Sequence, residues 1–397
     1  MSKSNSSIAL ALLCGVFFAW GFLTSINSIL VPYAQQLFKL SMTQSMLIQS
    51  VFYTSPLLVC LPTVFVIKGT GYRKALMISL MLIVLGGLCA MFAFQTTWFA
   101  LLLTAIFIIA CGVAMLQVIA NPYVVALGES HSAPQRLTFA STINSLGTTV
   151  APYFTAHLLF SDNAQPNMDV ALYAGITGFM ILLCLAIRAA KMPEPQAKLG
   201  GQQTCKLFDH RHLVFGIVAI FCYTGAETSI ASLLVSYLSS YGGLQPSSAA
   251  QMVALYWGGA MIGRLIGTAL FSTVNARLVL IINALTAVAV TAFVAVNPGV
   301  SSAYLLIAVG LLNSIMYPVI FSLAVDNLGS YTEKASGFLV MAGLGGATIP
   351  LLQTALSSAA TLNVSFLLPA ACYGFILLFA TSLYRPEYPV TEKLTNG

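Results

Sequence analysis

Residues 191–211 read KMPEPQAKLGGQQTCKLFDHR, the longest polar stretch in the chain. Within it, Met192-Pro193-Glu194-Pro195 and Gly200-Gly201-Gln202-Gln203 supply breaker residues, and Lys191, Lys198, Lys206 and Arg211 supply positive charge. Prolines and glycines at that density end a helix rather than continue it. On both sides the sequence turns apolar. Of 397 residues, 58% are hydrophobic and 7% charged, against roughly half and a quarter in soluble domains. That balance excludes a soluble globular protein. A helix crosses a bilayer with about 20 apolar residues, so ten to twelve crossings would use roughly 200 to 240 residues, close to the apolar content here.

Apolar runs between polar breaks predict six helices before the polar stretch, near residues 8–31, 43–67, 73–94, 97–126, 135–160 and 169–190. Six more follow it, near 212–240, 247–272, 277–296, 301–327, 335–359 and 363–384. A net charge of +6 would suggest nucleic acid in a soluble chain, but here the position of each cation decides its meaning. With a cytoplasmic N-terminus, the inner face holds Lys3, Lys68, Arg73, Lys74, Arg136, Arg188, Lys191, Lys198, Lys206, Arg211, Arg277, Lys334, Arg385 and Lys393. Lys39 falls outside, and Arg264 lies within span 8 towards its inner end. The positive-inside rule therefore predicts that both termini are cytoplasmic. The apolar run from Ile8 outlasts a signal-peptide core and shows no small-residue cleavage site, so it is expected to stay as the first span. Seven of the eight cysteines lie in apolar stretches and Cys205 in the polar one, without metal spacing, and they are expected to be free.

The polar stretch divides the chain into a bundle over 1–190, a cytoplasmic linker over 191–211 and a second bundle over 212–397. Pro122 and Pro318 interrupt spans 4 and 10 at an offset of 196, and Pro152 and Pro350 interrupt spans 5 and 11 at 198. Gly21-Phe22-Leu23-Thr24-Ser25 aligns with Gly225-Ala226-Glu227-Thr228-Ser229 at 204. Three pairs at nearly constant offset around a basic linker are the mark of a duplicated transporter. The expected fold is an all-α membrane protein with twelve transmembrane helices in two six-helix bundles, which resembles the major facilitator superfamily.

Polar side chains inside the bilayer cost several kcal/mol unless they face a partner or a wet cavity. Glu227 is the only acid well inside a predicted span. Desolvation disfavours its charged form, which suits a carboxyl that takes up and releases a proton, and Tyr223 lies one turn earlier on the same face. Its bland alternative is a neutral carboxyl bonded to a neighbouring helix. Gln117 and Asn121 share a face directly before Pro122, and Asn313 and Tyr317 stand at the matching places before Pro318. Asn27 with Thr24, and Asn144 with Ser141, repeat the pattern at i, i+3, and Gln49 joins from span 2. Tyr53, Tyr256, Trp257 and Trp20 could stack on a sugar ring or simply pack. His157 at the outer end of span 5 is expected to pack, and Arg264 to cap or pair at the inner end of span 8. Amides and aromatics around one acid match a neutral polyhydroxylated solute better than an anion, because they replace its hydration without a charge mismatch.

Longer motifs point the same way. Phe18-Ala19-Trp20-Gly21, Ile29-Leu30-Val31-Pro32, Leu47-Ile48-Gln49-Ser50, Ala120-Asn121-Pro122-Tyr123-Val124 and Asn144-Ser145-Leu146-Gly147 stand in the first half. Phe221-Cys222-Tyr223-Thr224-Gly225-Ala226, Ile262-Gly263-Arg264, Tyr317-Pro318 and Asn327-Leu328-Gly329 stand in the second. Together they resemble the fucose/galactose/glucose:proton symporter family, from Val16 to Gly343. The resemblance implies a bacterial inner-membrane importer of a hexose, deoxyhexose or anhydro-sugar by alternating access. One branch of that family carries acids in spans 1 and 4 where this chain has Ser28 and Gln117, and a glutamine in span 7 where this chain has Glu227, a feature that the resemblance extends to other branches.

The sequence therefore predicts a sugar carrier with no cofactor, a proton or sodium as coupling ion, and the bilayer and substrate as partners of a monomer. Its midplane site is expected to draw on Asn27, Gln49, Gln117, Asn121, Ser141, Asn144, Tyr223, Glu227, Tyr256, Trp257 and Asn313, with Glu227 carrying the proton. Rivals are an uncoupled facilitator and a proton-driven exporter of amphiphiles, whose cavity would be larger and more apolar. An enzyme is disfavoured, since no nucleophile pattern, metal cluster or phosphate loop is visible.

Overall fold

The computed structural model describes residues 3–160, 167–190, 192–194 and 207–386, except for some side chains within the helices. Cys205 and the middle of the linker lie outside the described residues. Before the linker come α1 (Lys3–Leu37), α2 (Met42–Thr70), α3 (Tyr72–Gln95), α4 (Phe99–Ala126), α5 (Ala133–Phe160) and α6 (Met168–Ala189). After it come α7 (Arg211–Tyr241), α8 (Pro246–Leu270), α9 (Ala276–Val296), α10 (Val300–Asn313), α11 (Met316–Ala324), α12 (Thr332–Met341), α13 (Gly345–Ala359) and α14 (Leu367–Leu378). Helices α10 and α11 form one crossing, as do α12 and α13, so fourteen helices make twelve rods.

Among the described residues eleven of these rods are long and apolar enough to cross a membrane. The twelfth, α5, spans 28 residues but carries Gln135, Arg136, Asn144 and a series of threonines and serines. Spans 10 and 11, expected to be interrupted at Pro318 and Pro350, are each broken ahead of the proline. The first breaks at Ser314-Ile315, four and three residues before Pro318, and the second at the 3-10 turn Ala342–Leu344 beside Gly345-Gly346. A proline removes a backbone donor and glycine weakens helix, so the breaks fall where the chain is least able to hold an α-helix.

The chain forms two compact units, Met1–Glu129 with Ala140–Gln196, and Ser130–Phe139 with Ala197–Gly397. In the first, α3 packs on α4 and α6. Gly86 sits against Ile109 and Gly112 against Ile83, so each glycine receives the other helix's isoleucine and a Cβ at either place would overlap it. In the second, α7 is central and packs on α8, α11, α13 and α14, while α8 packs on α10.

One crossing occurs in both units. Gly147 of α5 lies against the Phe18 carbonyl of α1, and Gly345 of α13 lies against the Phe221 carbonyl of α7. Ser25 Oγ donates to the Thr148 carbonyl at 2.9 Å, and Thr228 Oγ1 to the Gly346 carbonyl at 3.1 Å. Matched residues are 198 apart on the second helix and 203 on the first, one fewer than the 204 at which Gly21–Ser25 aligns with Gly225–Ser229, so the duplication extends to single hydrogen bonds with Ser25 matched by Thr228 and not Ser229.

Candidate functional site

Residues 211–241 form one unbroken helix, which places Glu227 about midway along α7. The Tyr223 hydroxyl, one turn earlier, donates to Glu227 Oε1 at 2.7 Å. From α8, the Tyr256 hydroxyl donates to the Glu227 backbone carbonyl at 3.0 Å. Asn313, the last residue of α10, donates from Nδ2 to the Tyr256 hydroxyl at 2.7 Å and accepts at Oδ1 from the Tyr373 hydroxyl of α14, also at 2.7 Å. Four helices thus meet through one directional chain of hydrogen bonds. Asn313, Tyr256 and Tyr373 are fully buried, while the Glu227 side chain is half-buried. In a low dielectric such a satisfied network fixes its members in one geometry. Trp257 is 44% exposed and meets the Tyr256 ring edge-on at 5.4 Å, and Tyr317 of α11 lies 6.2 Å from the Tyr223 ring.

Arg264 of α8 donates from Nε to the Ser314 carbonyl at 3.1 Å, beside Asn313. Expected to cap or pair at the inner end of span 8, it pairs with the break between α10 and α11. Asn283 of α9 fills a second carbonyl at the break, Leu312, at 2.9 Å.

The polar residues expected from the first unit stand on α1, α2, α4 and α5. Gln117 is half-buried and Asn121, one turn on in α4, is fully buried. Asn144 of α5 is half-buried and donates from Nδ2 to the Phe17 carbonyl of α1 at 2.8 Å, which ties the two helices. Ser141 of α5 and Gln49 of α2 are half-buried, and the Asn27 side chain lies outside the described residues. His157 is exposed.

Sequence reasoning missed Tyr373, whose only signal was a hydroxyl in the otherwise apolar helix α14, and the pair formed by half-buried Tyr33 and buried Asp169. There the Tyr33 hydroxyl donates to Asp169 Oδ2 at 3.0 Å. An apolar pocket of about 310 Å³ in the first unit is lined by residues including Phe18, Phe22, Phe154, Phe179 and Met180 and holds none of the polar candidates. Its chemistry suits hydrocarbon, not a polyol.

The Major Facilitator Superfamily profile matches residues 12–347. The chain belongs to that superfamily. It is 39% identical to the glucose/galactose transporter of Brucella abortus biovar 1 (strain 9-941), over 95% of this chain and 94% of the relative. A putative glucose/galactose transporter of Helicobacter pylori (strain ATCC 700392 / 26695) is 36% identical over 98% and 99%. The crystal structure of the E. coli fucose:proton symporter superposes with a TM-score of 0.85 at 31% identity, covering 95% of this chain and 98% of that one. The expected resemblance to the fucose/galactose/glucose:proton symporters is thus borne out, and so is the twelve-helix facilitator fold. This member of the superfamily is a multi-pass membrane transporter and not an enzyme.

Proposed function

We propose that the chain imports a neutral monosaccharide together with a proton, by alternating access, and that Glu227 carries the proton. The observation that carries this reading is the bonding of Glu227. Its Oε1 and its backbone carbonyl are taken by Tyr223 and Tyr256, which orients the carboxyl and leaves Oε2 for a proton and a sugar hydroxyl. A protonated carboxyl donates to the sugar and adds no charge to the loaded carrier. Crossing with an ionised carboxylate would instead require keeping it hydrated in hydrocarbon. Asn313 and Tyr373 then act behind the sugar contact by fixing Tyr256, while Trp257 offers an exposed ring to the apolar face of a pyranose. On the first unit, Asn27, Gln49, Gln117, Asn121, Ser141 and Asn144 supply the neutral amides and hydroxyls suited to the same solute.

Relatives named for glucose/galactose transport and for fucose:proton symport support both the substrate class and the coupling ion. The distribution of lysines and arginines supports both termini in the cytoplasm, and the bacterial relatives support placement in an inner membrane. The test is uptake of labelled D-glucose, D-galactose and L-fucose into proteoliposomes under an inwardly directed proton gradient. Wild-type protein is expected to accumulate at least one of them above equilibrium, and Glu227→Gln to lose that accumulation. Unchanged gradient-driven accumulation in Glu227→Gln would refute the assignment.

A further inference from the structure

An arginine within a membrane span is expensive and is retained for a reason. Arg264 lies between two features that each call for a positive donor. One is the Ser314 carbonyl, whose helical partner would be the N–H of residue 318, and residue 318 is a proline without one. Arg264 Nε fills that place at 3.1 Å. The other is Glu227, to which the same helix α8 is already joined by the Tyr256 hydroxyl at 3.0 Å. Tyr256 and Arg264 are eight residues apart on one face of α8, and a helical side chain leans towards the N-terminus of its helix, so Arg264 leans towards the level of the Tyr256–Glu227 bond. The approach of α8 to the break is tight, since a Cβ on Gly263 would overlap the Ser314 side chain. Titratable groups around Glu227 are Tyr223 on its own helix, Tyr256 and Arg264 from α8, and Tyr373 from α14. Arg264 is the sole cation among these.

We propose that Arg264 is the positioning residue that links the proton on Glu227 to the break between α10 and α11. It holds the Ser314 carbonyl while Glu227 is neutral, and turns to the Glu227 carboxylate when the proton leaves for the inner water. The break is then held in the loaded carrier and loosened in the empty, deprotonated one, which has to return outward. A guanidinium suits this exchange because its donors form a rigid fork and its charge is permanent. The inference rests on Glu227 carrying the coupled proton, as proposed above.

Two readouts on the full chain in proteoliposomes test it, with labelled D-glucose, D-galactose and L-fucose as probes. Net accumulation under a proton gradient needs the empty carrier to return, whereas exchange of labelled for unlabelled sugar at equal pH needs only the loaded one. Arg264→Gln is expected to lower net accumulation about tenfold or more and to keep exchange within about twofold. Pro318→Ala gives the Ser314 carbonyl a backbone donor and so fixes the break, and is expected to show the same split. Should Arg264→Gln fail to reach the membrane folded, Pro318→Ala decides alone. Equal loss of both activities, or undiminished net accumulation, in the deciding variant overturns the proposal. A wild type that never accumulates any of the sugars sinks the symport reading itself; accumulation by the wild type without the split sinks only the role of Arg264.

Discussion

Each of Pro152, Pro318 and Pro350 leaves the carbonyl four residues earlier without its helical donor, and in each case a side chain from another helix answers. Ser25 fills Thr148, Arg264 fills Ser314 and Thr228 fills Gly346. A kink in hydrocarbon has no water to satisfy it, so these plugs decide whether the prolines are tolerable. Thr228→Val removes one plug at nearly constant volume. A membrane hydrogen bond contributes about 0.6 kcal/mol on average, and an orphaned carbonyl adds a desolvation cost, so the loss should be about 1–2 kcal/mol in unfolding of the detergent-solubilised protein. In a Pro350→Ala background the restored N–H takes the Gly346 carbonyl, and the same substitution should cost less than about 0.5 kcal/mol. Equal costs in both backgrounds would show that the hydroxyl acts elsewhere. The prolines and their offsets were legible in the sequence, because a proline announces its own effect. Their plugs were not, since Ser25 and Thr228 lie more than a hundred residues from the carbonyls they fill and look like ordinary polar residues in an apolar run.

At the scale of elements, the start of α3 shows how the residues just after α6 belong to the first unit. Gly71 joins α2 to α3 at φ 82°, a left-handed conformation that disfavours any Cβ. The Glu194 carboxylate accepts from the Tyr72 and Arg73 amides at 2.9 and 3.1 Å, placing an anion on the positive end of α3. Arg73 in turn donates to the Ile187 carbonyl at 3.1 Å and to that of Arg188, capping the end of α6. Glu194→Gln keeps the shape and removes the charge. It should cost about 0.5–1 kcal/mol, and the Tyr72 and Arg73 amides should exchange hydrogen several-fold faster while amides in the middle of α7 keep their protection. Gly71→Ala should cost more, about 1–2 kcal/mol, because its Cβ is strained at that φ and would sit 3.2 Å from the carboxylate. Faster exchange spread evenly over the unit would argue against a local cap. The sequence marked 191–211 as the divide between halves but gave no sign that Glu194 reaches back to residue 72, since a lone acid among prolines carries no record of its partner.

For the molecule as a whole, six crossings return the chain to the side from which it started, so the basic residues at 68–74, 188–211, 277 and 385 share one face if any one of them is cytoplasmic. Lys39 is the single cation expected opposite, and insertion follows the excess of lysine and arginine in short loops. The repeated crossings of α1 on α5 and of α7 on α13 require an even number of spans between the copies, because a duplicated unit is inserted in the same sense only then. Reporter fusions put this to the test directly. A green fluorescent protein joined after residue 196 or after residue 386 should fluoresce, and alkaline phosphatase joined after residue 241 should be active, because the first folds only in the cytoplasm and the second only outside it. Phosphatase activity after 196 would place the linker outside and put all fourteen cations assigned to the inner face on the wrong side, which the charge distribution makes costly at about 1 kcal/mol per residue near an anionic leaflet. Glu227 would then have to receive its proton through the face on which α7 begins, and import by a proton gradient would run through the opposite half of the transport cycle.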